Sequence, residues 1–429
     1  MSQHDYVIAN QTFPATRTDL NNAFGAIVSQ NSGATAPSTT YAYQLWYDTT
    51  ANKLKQRNAD NDAWIDLFDV DQVADTATAA GAVVPAGSNL IINGACVIDQ
   101  RNAGASVTPN LLAYPVDRTF GFGSVTGKFS CQQNSGSVTP PVGFSNYIGA
   151  VSLSAYSVGS SEQYIFGQPI EGLNVAHLAW GTSSASTVTL SFYVRSSLTG
   201  TFGGALQNSA FDRSYPFSYT ISTANTWQRI SITIVGDTSG TWLKTNGVGI
   251  RVGFSLGAGS SVSGTAGAWA SGNFVSATGA TSVVGTNAAT FYITGIKLEI
   301  GSTATDFEHP RSYGDELARC DRYFQSYDLS GNYVGLCAAQ CVSSTESLAA
   351  MTFRTPMRAS PSMSFNNLVL TDRIGYDSDV SQCAVQGSSS GGVSWRSVHA
   401  SNSGSAHDAQ HITSKNNTTD AYARFDAEL

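Results

Sequence analysis

The amino-acid sequence predicts a mainly β protein with a small α+β N-terminal domain, a central jelly-roll-type antiparallel β-sandwich and a β-rich C-terminal domain. Short apolar or alternating segments, separated by turn-forming residues, recur from residue 89 onward, as in sandwiches. Helical periodicity is confined to two short stretches. Charged residues make up 12% of the chain against about 25% in ordinary soluble proteins, while the hydrophobic fraction stays at 41%. This composition excludes a disordered chain, which combines few apolar residues with many charges.

The N-terminal domain is predicted to span 1–70 and to combine one helix with three strands. Leu20, Phe24, Ile27 and Val28 fall on one helical face, and Asn31-Ser32-Gly33 ends the helix. The period then changes to two, with strands predicted at 43–47, 53–57 and 63–68 between turn-rich segments. The predicted core is Leu20, Phe24, Ile27, Trp46, Leu54, Trp64, Ile65 and Leu67.

Residues 71–88 are predicted to be a linker. The segment is rich in alanine and ends in Pro85 and Gly87. The spacing of Val70, Val73, Ala77 and Ala80 also fits a short trimeric coil, but so short a helix with alanine in its core is marginal. We therefore expect a flexible linker.

The central domain, 89–310, is the part of the chain that lacks charge. Only 18 charged residues fall within 73–307. Alternation places Val188, Leu190, Phe192 and Val194 on one apolar face, and it separates Ile230, Ile232 and Ile234 from polar neighbours. Strands are predicted at 89–98, 146–153, 163–170, 187–195, 216–222, 226–235, 247–256 and 290–300.

The C-terminal part begins with a connecting helix at 311–324, where Leu317 and Cys320 share one face. The domain beyond it, 325–429, is predicted to hold strands at 333–341, 347–354, 362–370, 382–386 and 393–400. Residues 400–420 contain much Ser, Asn and Gly and are predicted to be a loop.

Two groups of motifs resemble one family. Trp46 to Lys55, followed by Arg57-Asn58 and Asn61 to Trp64, resembles the N-terminal domains of tailed-bacteriophage tail fibres and prophage tail proteins. Within 89–324, segments resemble the central carbohydrate-binding-module-like sandwich of phage tail proteins, in the same order. They include Leu90 to Gly94, Ile170-Glu171-Gly172, Asn225 to Arg229, Gly236 to Trp242, and Phe291 to Gly301 followed by Ala304 to Glu308.

The resemblance implies a trimeric structural protein of the virion. Residues 1–70 would attach to the phage tail or an adaptor protein, and the sandwich would bind glycans on the host cell surface. The protein would be made in the host cytoplasm and carried in the phage tail. The sequence alone leaves open whether the central or the distal domain meets the receptor.

Candidate glycan contacts are aromatic residues in polar loops, because sugars stack their C–H surfaces on aromatic rings beside neutral hydrogen-bonding groups. Trp269, Phe274, Trp242 and Tyr156 fit this description. For Trp269 the alternative is a loop anchor at the edge of the sandwich. Trp242, at the end of Gly240-Thr241-Trp242, favours a structural role.

Several classes of function and site are not expected. A net charge of −8 without a basic stripe argues against nucleic acid, and no apolar run approaches a membrane span. The six cysteines are expected to be reduced thiols, and we expect no cofactor and no metal. His407 and His411 could share a metal on a helix, but their segment is predicted to be loop, so ordinary polar surface is favoured.

A catalytic role is also not expected, because no paired carboxylates of the glycosidase kind fall in one loop. We therefore expect a receptor-recognising tail fibre. Two alternatives stay open: a tail depolymerase that cleaves surface polysaccharide, and a tail adaptor that holds another fibre without touching a receptor.

Overall fold

The computed structural model describes residues 8, 11–71, 76–79, 89–372, 377–400 and 409–429, and it divides into two compact units, 1–85 and 86–429. Strands hold 44% of the residues and helices 10%, which confirms the mainly β prediction. Among the described helices, none is long and apolar enough to span a membrane.

The first unit combines one helix with a four-stranded antiparallel sheet. Helix α1, Phe13–Val28, has Pro14 in its first turn, where the missing N–H costs no hydrogen bond. Gln30 and Asn31 follow it with φ of 54° and 53°, in the left-handed conformation that ends helices. The sheet runs in the order of the chain: β1 Leu45–Asp48, β2 Lys53–Arg57, β3 Trp64–Asp71 and β4 Thr76–Ala79.

The predicted core of this unit is wrong on the helix. Its helical period is correct, but Leu20, Phe24 and Ile27 are 40–61% exposed, and the buried helical residues are Ala23 and Ala26. The buried side of α1 is thus its small-residue side, which leaves the large apolar side chains in solvent.

The sheet side of the core is partly as predicted. Trp46 is buried, and its ring lies 5.2 Å from that of Trp64, edge to face. Leu54 and Leu67 are half-buried, whereas Ile65 is exposed, contrary to the prediction.

Part of the predicted linker 71–88 is a strand. β4 pairs antiparallel with β3, with Val70 opposite Ala77. Backbone pairing to an existing sheet edge overrides the low strand propensity of alanine there. Residues 80–88 lie outside the described residues.

The second unit contains a sandwich of two antiparallel sheets, in agreement with the predicted jelly-roll-type architecture. A five-stranded sheet has the order β13-β10-β18-β8-β7, and a seven-stranded sheet has the order β16-β12-β11-β14-β9-β6-β5. The strands of the sandwich region are β5 Leu111–Val116, β6 Thr119–Gly123, β7 Phe129–Gln133, β8 Ile148–Ser152, β9 Gln163–Glu171, β10 Val188–Ser196, β11 Gly200–Gln207, β12 Arg213–Ile221, β13 Gln228–Ile234, β14 Val248–Ala258, β15 Ser263–Gly264, β16 Ala270–Ser271, β17 Ser276–Ala277 and β18 Thr290–Ile300. A four-residue helix, α2 Gly172–Val175, follows β9.

The core of the sandwich lies between these sheets. Val188, Leu190, Phe192 and Val194 of β10 are all buried there, as the alternation predicts. Other core residues from the facing sheet include Phe166, Phe202, Leu206, Phe217, Val252 and Phe254. Because side chains alternate along a strand, the residues between these positions point to the outer face of the seven-stranded sheet.

The strand predicted at 89–98 is wrong. The segment is a buried loop, in which Asn93 and Cys96 have φ of 58° and 56°. Side-chain amides take the place of strand partners: Gln168 both accepts from the N–H and donates to the C=O of Ile92. An added Cβ at Gly94 would lie 2.1 Å from the Ile296 carbonyl oxygen, so this close contact requires glycine.

The C-terminal region holds a three-stranded sheet, β19-β27-β22, and a closed six-stranded barrel, β20-β21-β25-β24-β23-β26, around the buried Trp395. Helix α3, Tyr313–Asp321, precedes it, so the predicted helix at 311–324 is shorter and Phe324 begins a strand. The strands are β19 Phe324–Asp328, β20 Gly335–Ser343, β21 Glu346–Thr352, β22 Ser362–Asn366, β23 Leu368–Thr371, β24 Asp377–Ser388, β25 Gly392–His399, β26 Ala409–Ser414 and β27 Tyr422–Asp426.

The loop predicted at 400–420 is therefore wrong in its middle. β26 closes the barrel by pairing with both β20 and β23. Its apolar Ile412 is buried between polar neighbours, a pattern too short for the sequence to reveal.

Buried charges join the sandwich to α3 and β27. Glu171, fully buried, accepts hydrogen bonds from the Arg322 guanidinium at 2.6 and 2.8 Å and from the Tyr323 hydroxyl at 2.8 Å. Arg118 forms an ion pair with Glu428 and lies 3.5 Å from the centre of the Tyr323 ring. We call this set of residues the polar seam; its other members are Gln100, Arg101, Asp117, Asp321, Arg354 and Asp426.

Candidate functional site

The outer face of the seven-stranded sheet carries a row of three polar residues and one proline, all of them buried except the half-buried Arg251. Cross-strand pairing places Ser214, Gln207, Arg251 and Pro169 side by side on four consecutive strands, β12, β11, β14 and β9. Their sequence neighbours Tyr215, Leu206, Val252 and Ile170 point into the core, so these four residues point outward.

Arg251 is the charged residue of this row. The carbon of its guanidinium lies 4.3 Å from the centre of the Phe211 ring, a cation–π contact. Within the described chain, its guanidinium has no hydrogen bond or ion pair, and its Nη1 is buried without a partner. Burial lowers the pKa of Arg251, although the group stays charged at neutral pH.

Phe211 reaches this face from the hairpin between β11 and β12. It is 39% exposed, with φ of 58°, a left-handed conformation that turns the chain tightly at 208–212. The Asn208 side chain fixes the turn: its amide donates to Asp212, and its oxygen accepts from the N–H groups of Asp212 and Arg213. The hairpin thereby holds an aromatic ring beside a cation at the surface.

Neutral hydrogen-bonding groups surround the pair. The Gln207 amide donates to the Asn273 side-chain oxygen at 2.7 Å. Tyr114 interacts electrostatically with Arg251, its ring contacts Phe120 and the Arg101 guanidinium, and burial raises the pKa of its hydroxyl. We call Tyr114, Gln207, Phe211, Arg251 and Asn273 the Arg251 site.

Small residues form the floor beside the Arg251 site. Ala205, Gly253 and Gly167 are paired across three strands of the same sheet. A Cβ added at Gly253 would meet only two backbone oxygens, at 3.7 and 3.9 Å, so the surface there is open, whereas one at Gly167 would lie 2.6 Å from the Phe120 ring. The Phe120 ring therefore packs over Gly167, and the open part of this surface lies at Gly253.

The arrangement offers groups that sugar-binding sites use. Exposed ring faces, amide groups and guanidinium groups contact the C–H surfaces and hydroxyls of sugars.

Two of the predicted glycan contacts lie together in an internal cluster. The Trp242 and Trp269 ring centres are 5.3 Å apart, and both rings contact Trp180 edge to face. Trp242 is buried, whereas Trp269 is half-buried and donates its indole N–H to the Val235 carbonyl at 2.7 Å.

The other two predicted contacts lie apart from this cluster. Phe274 is half-buried, and its ring covers Gly264 and Gly272. The Tyr156 hydroxyl donates to Glu162 at 3.0 Å, and the Lys128 ammonium lies 4.2 Å from the centre of its ring. Phe274 follows Asn273 of the Arg251 site directly, and is thus the candidate nearest to it along the chain.

The histidines are likewise separated in the structure. His399 is buried in the barrel and its Nδ1 bonds the Ala400 carbonyl oxygen, whereas His411 is exposed on β26. His407 lies outside the described residues. Among the residues that are described, no group of three or more His, Cys, Asp or Glu could hold a metal.

A cavity of about 450 Å³ lies between 89–97, 307–311 and α3. Two of its acidic groups are paired, Glu316 with Arg319 at 3.2 Å and Glu308 with Lys297 at 3.3 Å, whereas Arg311 and Asp315, which also line the cavity, are exposed.

Sequence reasoning missed every residue of the Arg251 site. One signal could have found part of it. In Gly249-Ile250-Arg251-Val252-Gly253, a single arginine occupies an outward position of a strand in a segment with almost no other charge. Phe211, at the tip of a polar hairpin, is a further exposed aromatic residue that also fits the criterion of an aromatic residue in a polar loop.

Comparisons with known proteins give no family and no curated relative: no family model matches the chain, and no curated protein does. Solved structures give remote likenesses. One is the enzymatically active domain of tailspike protein 4 from bacteriophage CBA120, with 9% identity, a TM-score of 0.27, and coverage of 50% of this chain and 22% of that one. This chain thus spans about a fifth of that domain.

Two further likenesses are to carbohydrate-binding modules. The family 11 module of a Clostridium thermocellum cellulosomal cellulase has 12% identity and a TM-score of 0.24, covering 47% of this chain and 99% of the module. The tandem CBM22 domains of Paenibacillus barcinonensis Xyn10C have 6% identity and a TM-score of 0.23, covering 76% and 97%.

Proposed function

We propose that this chain is a structural protein of a phage tail fibre that binds a host surface glycan through the outer face of its seven-stranded sheet. The observation that carries the proposal is the Arg251 site, where the partly exposed Phe211 ring, a guanidinium without a partner among the described residues and the exposed Asn273 side chain lie together. The motif resemblance across 46–64 and 89–324 supplies the phage context.

Glycan binding is tested by measuring how much of the full chain binds to intact cells of candidate host bacteria and to the surface polysaccharide extracted from them. We expect saturable binding that Phe211→Ala weakens about 5-fold, because an aromatic stacking contact contributes about 1 kcal/mol. Tyr156→Phe is the matched control, since it removes only a hydroxyl outside the site. Equal binding by Phe211→Ala would place the site elsewhere.

The proposal includes binding without cleavage. A depolymerase would release new reducing ends from the same polysaccharide, whereas a binding protein leaves the polymer length unchanged. A reducing-end assay over several hours of incubation distinguishes the two, and release above a heat-denatured control would support the depolymerase alternative.

Self-association through α1 is part of the same proposal. Phe13, Leu20 and Ile27 repeat every seven residues and are exposed, with Phe24 and Val28 beside them. This stripe matches the seam of a helical bundle, and a homotrimer would bury it and raise avidity for repeated glycans. We expect a trimer by light scattering, and a monomer from Leu20→Asp/Phe24→Asp; a monomeric parent chain would contradict this.

Attachment to the virion is assigned to residues 1–70. The mature protein would then be located in the phage tail after synthesis in the host cytoplasm. A pull-down of isolated tails or adaptor proteins by residues 1–85, which form a compact unit, tests this assignment. Tail capture by residues 1–85 without any cell binding by the full chain would support the adaptor alternative.

A further inference from the structure

Among the described residues, the half-buried Arg251 has no counter-charge, a property that it shares with Arg195 but not with three other buried or half-buried arginines of the second unit. Arg118 pairs with Glu428, Arg213 with Asp237 at 2.6 Å, and Arg101 with Asp117 and other carboxylates. In the low-dielectric surroundings of a folded protein, a cation without a partner costs free energy. An anionic ligand at Arg251 would therefore supply a favourable counter-charge that the described part of the chain does not.

The surroundings of Arg251 offer no competing charge. Its row neighbours Ser214, Gln207 and Pro169 are neutral, and Tyr114 is protonated at neutral pH. The acidic residue of the adjacent hairpin, Asp212, accepts a hydrogen bond from the Asn208 amide at 2.6 Å. An anion at Arg251 would thus meet one positive charge and no adjacent carboxylate in the row.

The shape of the site restricts which anion fits. The guanidinium lies against Phe211, whose ring remains partly exposed, and the open floor at Gly253 is beside it. A sugar ring can lie on the exposed part of Phe211 while a carboxylate on the same sugar meets the guanidinium in its plane. A phosphate monoester carries about 1.5–2 negative charges at neutral pH and would need a second cation.

We infer that the glycan bound at the Arg251 site is acidic, with a uronic acid whose carboxylate pairs with the Arg251 guanidinium and whose ring contacts Phe211. This inference rests on the proposed function and specifies its substrate class. It commits to a carboxylate and not to a phosphate ester, which the experiment includes as a separate arm.

The test measures binding of the full chain to oligomers of galacturonic, glucuronic and mannuronic acid by titration calorimetry. Each oligomer is paired with its carboxyl-reduced counterpart, which is neutral and otherwise the same. We expect at least one acidic oligomer to bind 10-fold or more tightly than its neutral counterpart, and this preference to shrink as salt rises from 50 to 500 mM, because salt screens ion pairs.

Variants locate the effect. Arg251→Gln should abolish the preference for the acidic oligomer, whereas Arg251→Lys should keep part of it, since the charge remains without the planar pair of donors. Arg195→Gln is the matched control: Arg195 is also half-buried with an unpartnered Nε, but it lies on the five-stranded sheet. Its loss should leave binding unchanged, and Arg195→Gln acting like Arg251→Gln would overturn the inference.

The outcomes separate this inference from the proposed function. Binding of neutral oligomers at least as tightly as acidic ones, lost in Phe211→Ala, would overturn the acidic class and leave glycan binding standing. Preferential binding of a phosphorylated oligosaccharide over every uronate would also overturn it. Absence of binding to all oligomers together with absence of binding to host polysaccharide would overturn both.

Discussion

Arg118 and Arg251 lie on either side of Pro169, and they differ in whether the protein supplies a counter-charge. Arg118 is almost fully buried, pairs with Glu428, donates to the Pro169 carbonyl at 2.6 Å and lies over Tyr323. Arg251 pairs in register with Pro169 on the next strand, yet it has only the Phe211 ring beside it. The first cation stabilises the fold, whereas the second is the one to which the proposal assigns a ligand.

The same division applies to larger regions. The polar seam between the sandwich and the C-terminal strands satisfies its charges internally, as the three hydrogen bonds to Glu171 illustrate. The outer face of the seven-stranded sheet carries glycine, alanine and neutral polar residues, together with an apolar cluster around Phe120 and Ile165. The paired charges of the polar seam stabilise the junction between the sandwich and the C-terminal strands. On the outer face of the seven-stranded sheet, Arg251 is the charge to which the proposal assigns ligand recognition.

Breaking the seam at Glu428 should have the largest effect on stability. Glu428→Ala leaves Arg118 buried without its counter-charge, and removal of one partner of a buried pair costs about 3–5 kcal/mol. Urea denaturation of the full chain measures the loss. The double variant Arg118→Met/Glu428→Ala should recover part of it, because no unpaired cation then remains; a cost below about 1 kcal/mol for the single variant would mean that the seam is not stabilising.

The pH dependence of the seam gives a smaller effect with a defined sign. Burial raises the pKa of Asp117 to about 6, with the Arg101 charge and two Gln100 hydrogen bonds acting against it. The folded chain therefore holds this proton more tightly than the unfolded chain does. Its contribution to stability is fully present below about pH 4, falls as pH rises toward 6, and is constant above that.

Asp117→Asn tests this directly, because asparagine does not titrate. Between pH 4.5 and 7 the parent should lose stability of the order of 2 kcal/mol from this group. Burial also raises the pKa of Asp321 in the same direction, so the variant should retain a weaker slope. The urea midpoint at several pH values is the measurement, and superimposable slopes for parent and variant would exclude Asp117 as the cause.

Regular alternation made part of this fold predictable from sequence. The strand predicted at 290–300 is observed at Thr290–Ile300, and that predicted at 187–195 at Val188–Ser196. The strand Gly200–Gln207 is not predicted from the sequence, because its segment Thr-Phe-Gly-Gly-Ala shows no regular alternation of apolar and polar residues. The helical period of α1 is predicted correctly, but its buried face is not. One side of the helix carries alanines and the other carries large apolar residues, so either side could face the core.

The Arg251 site was harder to predict, because distant segments build it. Gln207 and Arg251 meet only through the pairing of β11 with β14, and Asn273 arrives from a loop beyond both. Alternation alone could place Arg251 opposite the buried Val252 and therefore outside. That Phe211 would fold over it depends on the hairpin at 208–212, and the absence of a carboxylate partner becomes visible only once all neighbours are placed.

Removing Arg251 should have the smallest effect on stability. The size of this effect, compared with the effect of removing Arg118, tests whether the two arginines have different roles. Arg251→Met loses a cation–π contact worth about 0.5–1 kcal/mol and relieves the cost of a partly buried, unpaired charge of similar size, so the midpoint of urea denaturation should change by less than about 0.5 kcal/mol. Arg118→Met, the matched substitution across Pro169, should cost several times more, because it removes an ion pair and a backbone hydrogen bond. If the two substitutions destabilise the chain equally, Arg251 is a structural residue and its lack of a partner says nothing about a ligand. If Arg251→Met keeps full stability while glycan binding is lost, Arg251 does not contribute to folding stability, and its role is in ligand binding.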